Sequence, residues 1–281
     1  MKIAVSSYSF QRLINSGDEN QLSIIKLASE LGFEGIEYIT LMPHNGYSKK
    51  DYAKLLKDEA DKYNLPITSY AVSANFSDEN IREELENAKK EVDIACVLGA
   101  KVMRHDVMMV NPPFPSFPLV LPRIADACRE VTEYAAGKGI ATTVENHGYF
   151  FQDSIRMEQL YAAVNHANFG LLVDIGNFLC ADEDPVLAVS RLASYAKLVH
   201  AKDLHIKSGS DPNPGDCFFK TRGGNYIRGA IIGHGNVPVK RCMEILKFSG
   251  YDGYLVLEFE GMEDVLQALK ISIANLRTCV Y

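Results

Sequence analysis

The chain has 281 residues, 47% of them hydrophobic and 23% charged, with a formal net charge of −7. That length is close to the roughly 250 residues of one (β/α)8 barrel, and the composition is that of a globule with a sizeable core. The acidic balance argues against a dedicated nucleic-acid binder, and no run approaches the roughly 20 apolar residues of a membrane span.

The first residues, MKIAVSSYSFQRL, carry a lysine and a short apolar stretch but no long hydrophobic region. No signal peptide is expected, and a cytoplasmic location follows from that reading. The first strand-like run is 3–9, and further runs fall at 35–40, 66–73, 101–106, 140–146, 169–175, 196–203 and 253–260. Helix-like periodicity fills the spaces, near 19–31, 48–63, 78–98, 119–138, 154–166, 184–194, 238–249 and 263–277. Ser48, Ser77, Ser154 and Asp182 are placed to cap helix starts. Gly32, Gly99, Gly139 and Gly250 mark helix ends. Cys96, Cys128, Cys180, Cys217, Cys242 and Cys279 are scattered with no CxxC pair, so they are expected as reduced thiols.

Eight strand–helix pairs in strict alternation predict a parallel sheet closed into a single-domain (β/α)8 barrel over 1–281. An open doubly wound sheet would usually show a Gly-rich loop after its first strand, and SSYSFQ stands there instead. Two connections are too long for turns: 107–119 (VMMVNPPFPSFPL) and 204–237, which contains DPNPGD and FFKTRGGNYIRGAIIGHGN. Both follow strand C-termini, so both are expected over the barrel mouth, where such loops act as lids or binding loops.

The chemistry lies at four strand ends. The runs IATTVE, GLLVD, AKLVH and GYLVLE close on Glu145, Asp174, His200 and Glu258. Three carboxylates and an imidazole converging on one mouth suit a divalent ion, with Mn²⁺ favoured and Mg²⁺, Co²⁺ or Zn²⁺ as alternatives. His147, two residues beyond Glu145, points the same way along its strand and is a candidate base. His105 in VMRHD and Glu37 at the end of strand two also face the presumed mouth as candidate substrate contacts. Lys202 follows the ligand His200, and the Lys202–Asp203 pair has the alternative role of bracing the strand end. Within 204–237, Arg222, Arg228 and His234, with Lys220 and Asn225, are candidates for holding an anionic or polar substrate group. The alternative is a loop tied by its arginines to the acidic body. No GxxxxGK[ST] or GxGxxG fingerprint is present, so no nucleotide cofactor is indicated.

The motifs VENHG (144–148), VDIGN (173–177), VHAKD (199–203) and LEFEG (257–261), with GFEGIEY (32–38), resemble the xylose isomerase-like TIM-barrel superfamily. Its members are often described as sugar phosphate isomerases or epimerases, and the resemblance covers essentially the whole chain. It implies one metal held by Glu145, Asp174, His200 and Glu258. In the ketose 3-epimerase branch it also implies Glu145 and Glu258 as acid and base. Two positions depart from that branch: Asn177 stands where it has a histidine, and Ile206 where it has an arginine. Both touch substrate there, which counts against ketose 3-epimerase activity.

The leading expectation is a metal-dependent isomerase or epimerase acting on a small carbohydrate by proton removal next to a carbonyl. The runner-up is a lyase that expels a group β to the same enolate, as in inosose-type dehydratases and C-glycoside deglycosidase catalytic subunits. Abasic-site DNA cleavage, on the pattern of endonuclease IV, needs three metals and a basic face, and a non-catalytic sugar-binding barrel is the remaining alternative. A homo-oligomer is compatible with the sequence.

Overall fold

The computed structural model describes residues 1–77, 80–109 and 114–280. Eight parallel strands close on themselves in the order β1-β11-β7-β6-β5-β4-β3-β2. They are β1 (Lys2–Ser6), β2 (Ile36–Ile39), β3 (Ile67–Val72), β4 (Val102–His105), β5 (Ala141–Glu145), β6 (Phe169–Asp174), β7 (Ala196–Ala201) and β11 (Tyr254–Leu257). Seven fall inside runs predicted from the sequence, and β1 begins one residue before its run. Helices α2 (Ser23–Glu30), α3 (Lys49–Lys62), α4 (Ile81–Leu98), α5 (Phe117–Ala136), α6 (Ser154–Val164), α7 (Pro185–Leu192), α8 (Val239–Phe248) and α9 (Val265–Val280) separate or follow them, with a short α1 (Gln11–Ser16) before α2.

Side chains alternate across each strand, so every barrel strand serves two cores. Ala4, Leu172, Leu198 and Val256, joined by Val102, fill the inside of the barrel. Their neighbours Val5, Leu171, Val199 and Leu257 face outward to the helices and belong to the main core. Burying a Val or Leu on either face contributes roughly 1.5–3 kcal/mol, which is why both faces read as apolar.

Local signals differ from the sequence reading by one to three residues. Ser48 caps α3 by accepting from Asp51 N, but the cap of α6 is Asp153, which accepts from Arg156 N, not Ser154. Asp184 caps α7. Asp182 instead sits in left-handed backbone (φ 57°) at the end of the 3-10 turn Asn177–Ala181. Helix α4 begins after Asn80 rather than at Ser77. The proline-rich connection is shorter than 107–119, because α5 begins at Phe117; residues 110–113 of it lie outside the described ones.

The second long connection is a small sheet, not an open loop. Strands β8 (Asp203–Lys207), β9 (Phe219–Lys220) and β10 (Tyr226–Ala230) form it, antiparallel, in the order β8-β10-β9. Asp203 fastens its return, accepting from the backbone N–H groups of Gly233, Gly235 and Val237 at 2.8, 2.9 and 3.0 Å. Gly229 lets β10 press on the segment after β11, since a Cβ there would lie 2.5 Å from Glu260 C. No helix among the described residues is long and apolar enough to cross a membrane.

Candidate metal centre

Strand phase and register bring the four predicted ligands together. Leu172 and Leu198 point into the barrel, so Asp174 and His200, two residues further on, do too. Asp174 and His200 are register partners across β6 and β7, and His200 is paired with Val256, two residues before Glu258. One ligand atom from each of Glu145, Asp174, His200 and Glu258 lies within 4.8 Å of all the others, and all four residues are buried. Among the described residues this is the one such cluster.

The orientation of each group fits a cation. His200 Nε2 lies 3.0 Å from Glu37 Oε1, and Glu37 is in turn fixed by the Ser69 hydroxyl, which donates to it at 2.7 Å. With Nε2 committed to Glu37, Nδ1 faces Glu145 and Glu258, each 3.6 Å away. Asp174 Oδ1 accepts from Gly176 N and Asn177 N at 2.8 and 3.0 Å. That leaves Asp174 Oδ2 and His200 Nδ1 buried with no hydrogen-bond partner among the described residues. Such orphaned atoms cost about 1–3 kcal/mol each unless something binds them. A hard divalent ion is what oxygen-rich donors with one imidazole suit.

The charges tell the same story. Burial pushes the Asp174 carboxyl up to about 6, against Lys202 and aided by Glu145 and Glu258. Burial alone would lower the His200 pKa, but Glu37, Glu145 and Glu258 outweigh it and hold the imidazole well above its ordinary range. Burial opposes ionisation of the two glutamates as well, yet Arg104 and His200 keep Glu145 low, and Lys202 and His200 bring Glu258 to about 2.

A carboxylate behind a ligating histidine typically supports metal affinity by a factor of about 10–100. Glu37→Gln is therefore expected to weaken binding of the divalent ion by about 10–100-fold while keeping the fold, as read by calorimetric titration. An unchanged affinity would show that Glu37 only fills space.

Two cations share the carboxylates. Arg104 reaches Glu145 Oε2 at 2.6 Å and Asp106 Oδ1 at 2.9 Å. Lys202 Nζ lies 2.6 Å from Glu258 Oε2 and 3.4 Å from Asp174 Oδ2. Asn177 links the two halves, donating to Glu145 Oε1 at 3.0 Å and accepting from Lys202 at 3.3 Å. Gly176 makes that link attainable, because a Cβ there would lie 2.9 Å from the Lys202 carbonyl oxygen.

A cavity of about 310 Å³ opens above the cluster, with Glu145, His200 and Glu258 at its floor. His147 lines it beside Glu145, and its Nδ1 lies 3.2 Å from Asp106 Oδ1. In the tautomer that donates Nδ1–H to Asp106, Nε2 keeps a lone pair; Arg104 Nη2 lies 3.3 Å from the same Nδ1. Burial would depress the His147 pKa, but the Asp106 hydrogen bond and the Glu145 charge raise it.

The remaining predicted contacts are elsewhere. Glu37 is fully buried beneath His200, not at the mouth. His105 points outward from β4, packs on Phe76 and is turned to the Asp106 carbonyl oxygen; burial pushes its pKa down to about 4. Asn177 holds Glu145 and does not line the cavity. Arg222 is consumed by Asp153, at 2.9 Å, and by the Tyr149 carbonyl oxygen. Arg228 is held by Glu263 at 3.4 Å and by Met262 Sδ. His234 lies exposed in the turn after β10, and no residue of 204–237 lines the cavity. Arg104, Asp106, Tyr8 and Glu260, none singled out from the sequence, do line it.

Comparison with known proteins agrees with this architecture. A family model described as xylose isomerase-like TIM barrel matches residues 25–279. An inosose dehydratase of Bacillus cereus is 25% identical over 243 residues, which span 82% of this chain and 78% of that protein. The crystal structure of 3-keto-D-glucoside 4-epimerase from E. coli superposes with a TM-score of 0.74 at 18% identity, covering 99% of this chain and 100% of the other. A Mycobacterium smegmatis protein with a xylose isomerase-like TIM barrel, crystallised in complex with magnesium, gives 0.75 at 18% identity, covering 99% and 96%. These relatives include enzymes that dehydrate or epimerise carbohydrate derivatives.

Proposed function

The chain belongs to the xylose isomerase-like TIM-barrel family, and on that premise we propose that it is a divalent-metal-dependent lyase. In this reading it removes a proton next to the carbonyl of a keto-sugar or keto-polyol and expels water from the neighbouring carbon. The observation that carries the reading is the His147–Asp106 pair placed in one cavity with the Glu145, Asp174, His200 and Glu258 cluster. Glu145, Asp174, His200 and Glu258 would hold Mn²⁺ or Mg²⁺. When bound, the ion supplies Lewis acidity that makes a proton beside a carbonyl removable.

His147 is the favoured base, because Glu145 and Glu258 are each tied to a cation at 2.6 Å and are held low. Asp106 keeps the Nδ1 proton in place, so Nε2 takes the proton from carbon. The resulting imidazolium then returns that proton to the departing β-hydroxyl, which leaves as water, and no redox partner is needed. Arg104 and Lys202 hold the two glutamates in position while this happens. The 25% identity to inosose dehydratase over most of both chains supports the same branch.

Isomerisation or epimerisation is the second reading. It is favoured by Glu145 and Glu258 both reaching the cavity, from strands three places apart around the ring. Incubating the metal-loaded protein with keto-polyols and ketoses in deuterated water separates the two. Carbon-bound deuterium with loss of water and an unsaturated or diketo product is the expected result. An epimer or isomer formed with no loss of water would establish the second reading. Neither exchange nor turnover on any carbonyl sugar or polyol would overturn both.

A further inference from the structure

The charges and walls of the cavity go beyond the reaction to the substrate, and the inference rests on the carbonyl-sugar reading above. We propose that the site takes an uncharged keto-polyol and rejects its phosphorylated or carboxylate-bearing counterparts. Asp106, Glu145, Glu258 and Glu260 line the cavity, and Asp174 lies directly behind it. The cations facing them are Arg104 and Lys202. Each is already bound: Arg104 to Glu145 and Asp106, Lys202 to Glu258. With a divalent ion bound and His200 neutral as its ligand, the five carboxylates against Arg104, Lys202 and the ion leave one negative charge.

Among the described residues no further lysine or arginine lines the cavity, and the His147 imidazole that does is held by Asp106. Arg222 and Arg228 pair with Asp153 and Glu263 outside it. Arg12, in a side recess beyond Tyr8 and Glu260, is bound to the carbonyl oxygens of Met262 and Glu263. Residues 78–79, 110–113 and 281 include no lysine or arginine. A phosphate ester would add roughly −1.5 to −2 charges beside this acidic wall. At an effective dielectric of about 20, like charges at such range repel strongly.

The opposite side suits a neutral ring. Ile39 and Ala71 present an apolar surface from β2 and β3, with the Thr40 and Ser73 positions at its edge. In the closed ring β3 stands across from β7, which carries the Lys202 side of the cavity. A polyol ring therefore has a surface for its C–H face and polar groups for its hydroxyls. The volume of about 310 Å³ lies at the small end of the roughly 300–1,000 Å³ of ligand sites, as for a single ring.

The test is calorimetric binding to the wild-type protein loaded with Mg²⁺, so it does not depend on turnover. The probes are myo-inositol and D-fructose, their monophosphates, and inorganic phosphate. At least one neutral polyol is expected to bind in the range of about 1 mM or tighter. Its monophosphate is expected to bind at least about 100-fold more weakly, and inorganic phosphate to give no saturable heat. A monophosphate that binds as tightly as its parent, or saturable phosphate binding, would overturn the proposal. So would failure of both neutral polyols. The enolisation reading is judged separately by deuterium exchange, so it can stand while this proposal falls.

Discussion

Asp174→Ala is expected to leave the barrel folded and to remove stoichiometric metal. The variant loses Asp174 Oδ2, one of two orphaned atoms in the cluster, and leaves a gap between His200 and Lys202. It also frees Gly176 N and Asn177 N from the acceptor that binds them. That loss costs about 1–3 kcal/mol for each of the two groups, against the roughly 5–15 kcal/mol that hold a typical domain together. Loss of Lewis acidity worth several kcal/mol should lower turnover by a factor on the order of 1,000. The pH dependence of metal affinity identifies the ligand. In the wild type, binding must displace the His200 proton across neutral pH, and the Asp174 proton as well below about 6. As pH is lowered, affinity should therefore drop by about tenfold per unit above pH 6 and by about a hundredfold per unit below it. The steeper limb should vanish in any residual binding by Asp174→Ala. Full metal occupancy in the variant would remove Asp174 from the ligand set.

The barrel and the cluster of three carboxylates and one imidazole were legible because both are written locally. Each barrel strand is a short apolar run buried on two faces, and each cluster residue lies within one residue of the end of one. Side-chain phase was just as local but was applied unevenly. Val102 inside the barrel puts Arg104 and Asp106 inside and turns His105 out, yet the histidine drew attention. Depth is a different matter, since it depends on the stagger between neighbouring strands. Glu37 is paired with Ser69, whereas Ile39 and Ala71, two residues further along the same strands, line the cavity. The role of 204–237 was hidden for another reason. Its strands include one of two residues, and its anchors are long-range pairs: Arg222 with Asp153 and Thr221 with Asp182. Nothing in the segment itself names those partners, so arginines that tie down a sheet read equally well as arginines waiting for substrate.

His147→Ala is expected to abolish exchange and elimination while metal stays bound. The side chain is 39% exposed and makes its contacts at Nδ1, with Asp106 and Arg104 at 3.2 and 3.3 Å. Removing it therefore disturbs little of the fold, and Glu145 keeps its own partners, Arg104 and Asn177. A positioned general base is typically worth about 10²–10⁴-fold, which is the loss expected in kcat/KM. The pH profile distinguishes a base from a spacer. Asp106 raises the His147 pKa, and a base works only when deprotonated, so the wild-type rate should climb as pH rises through that pKa and then level off. In Asp106→Asn the raising charge is gone, and the same limb should move to lower pH. A structural role for His147 would give a lower rate with the limb unmoved. If His147→Ala keeps both deuterium exchange and the wild-type profile, the proton goes to Glu145 or Glu258, and the isomerase reading takes the place of the lyase.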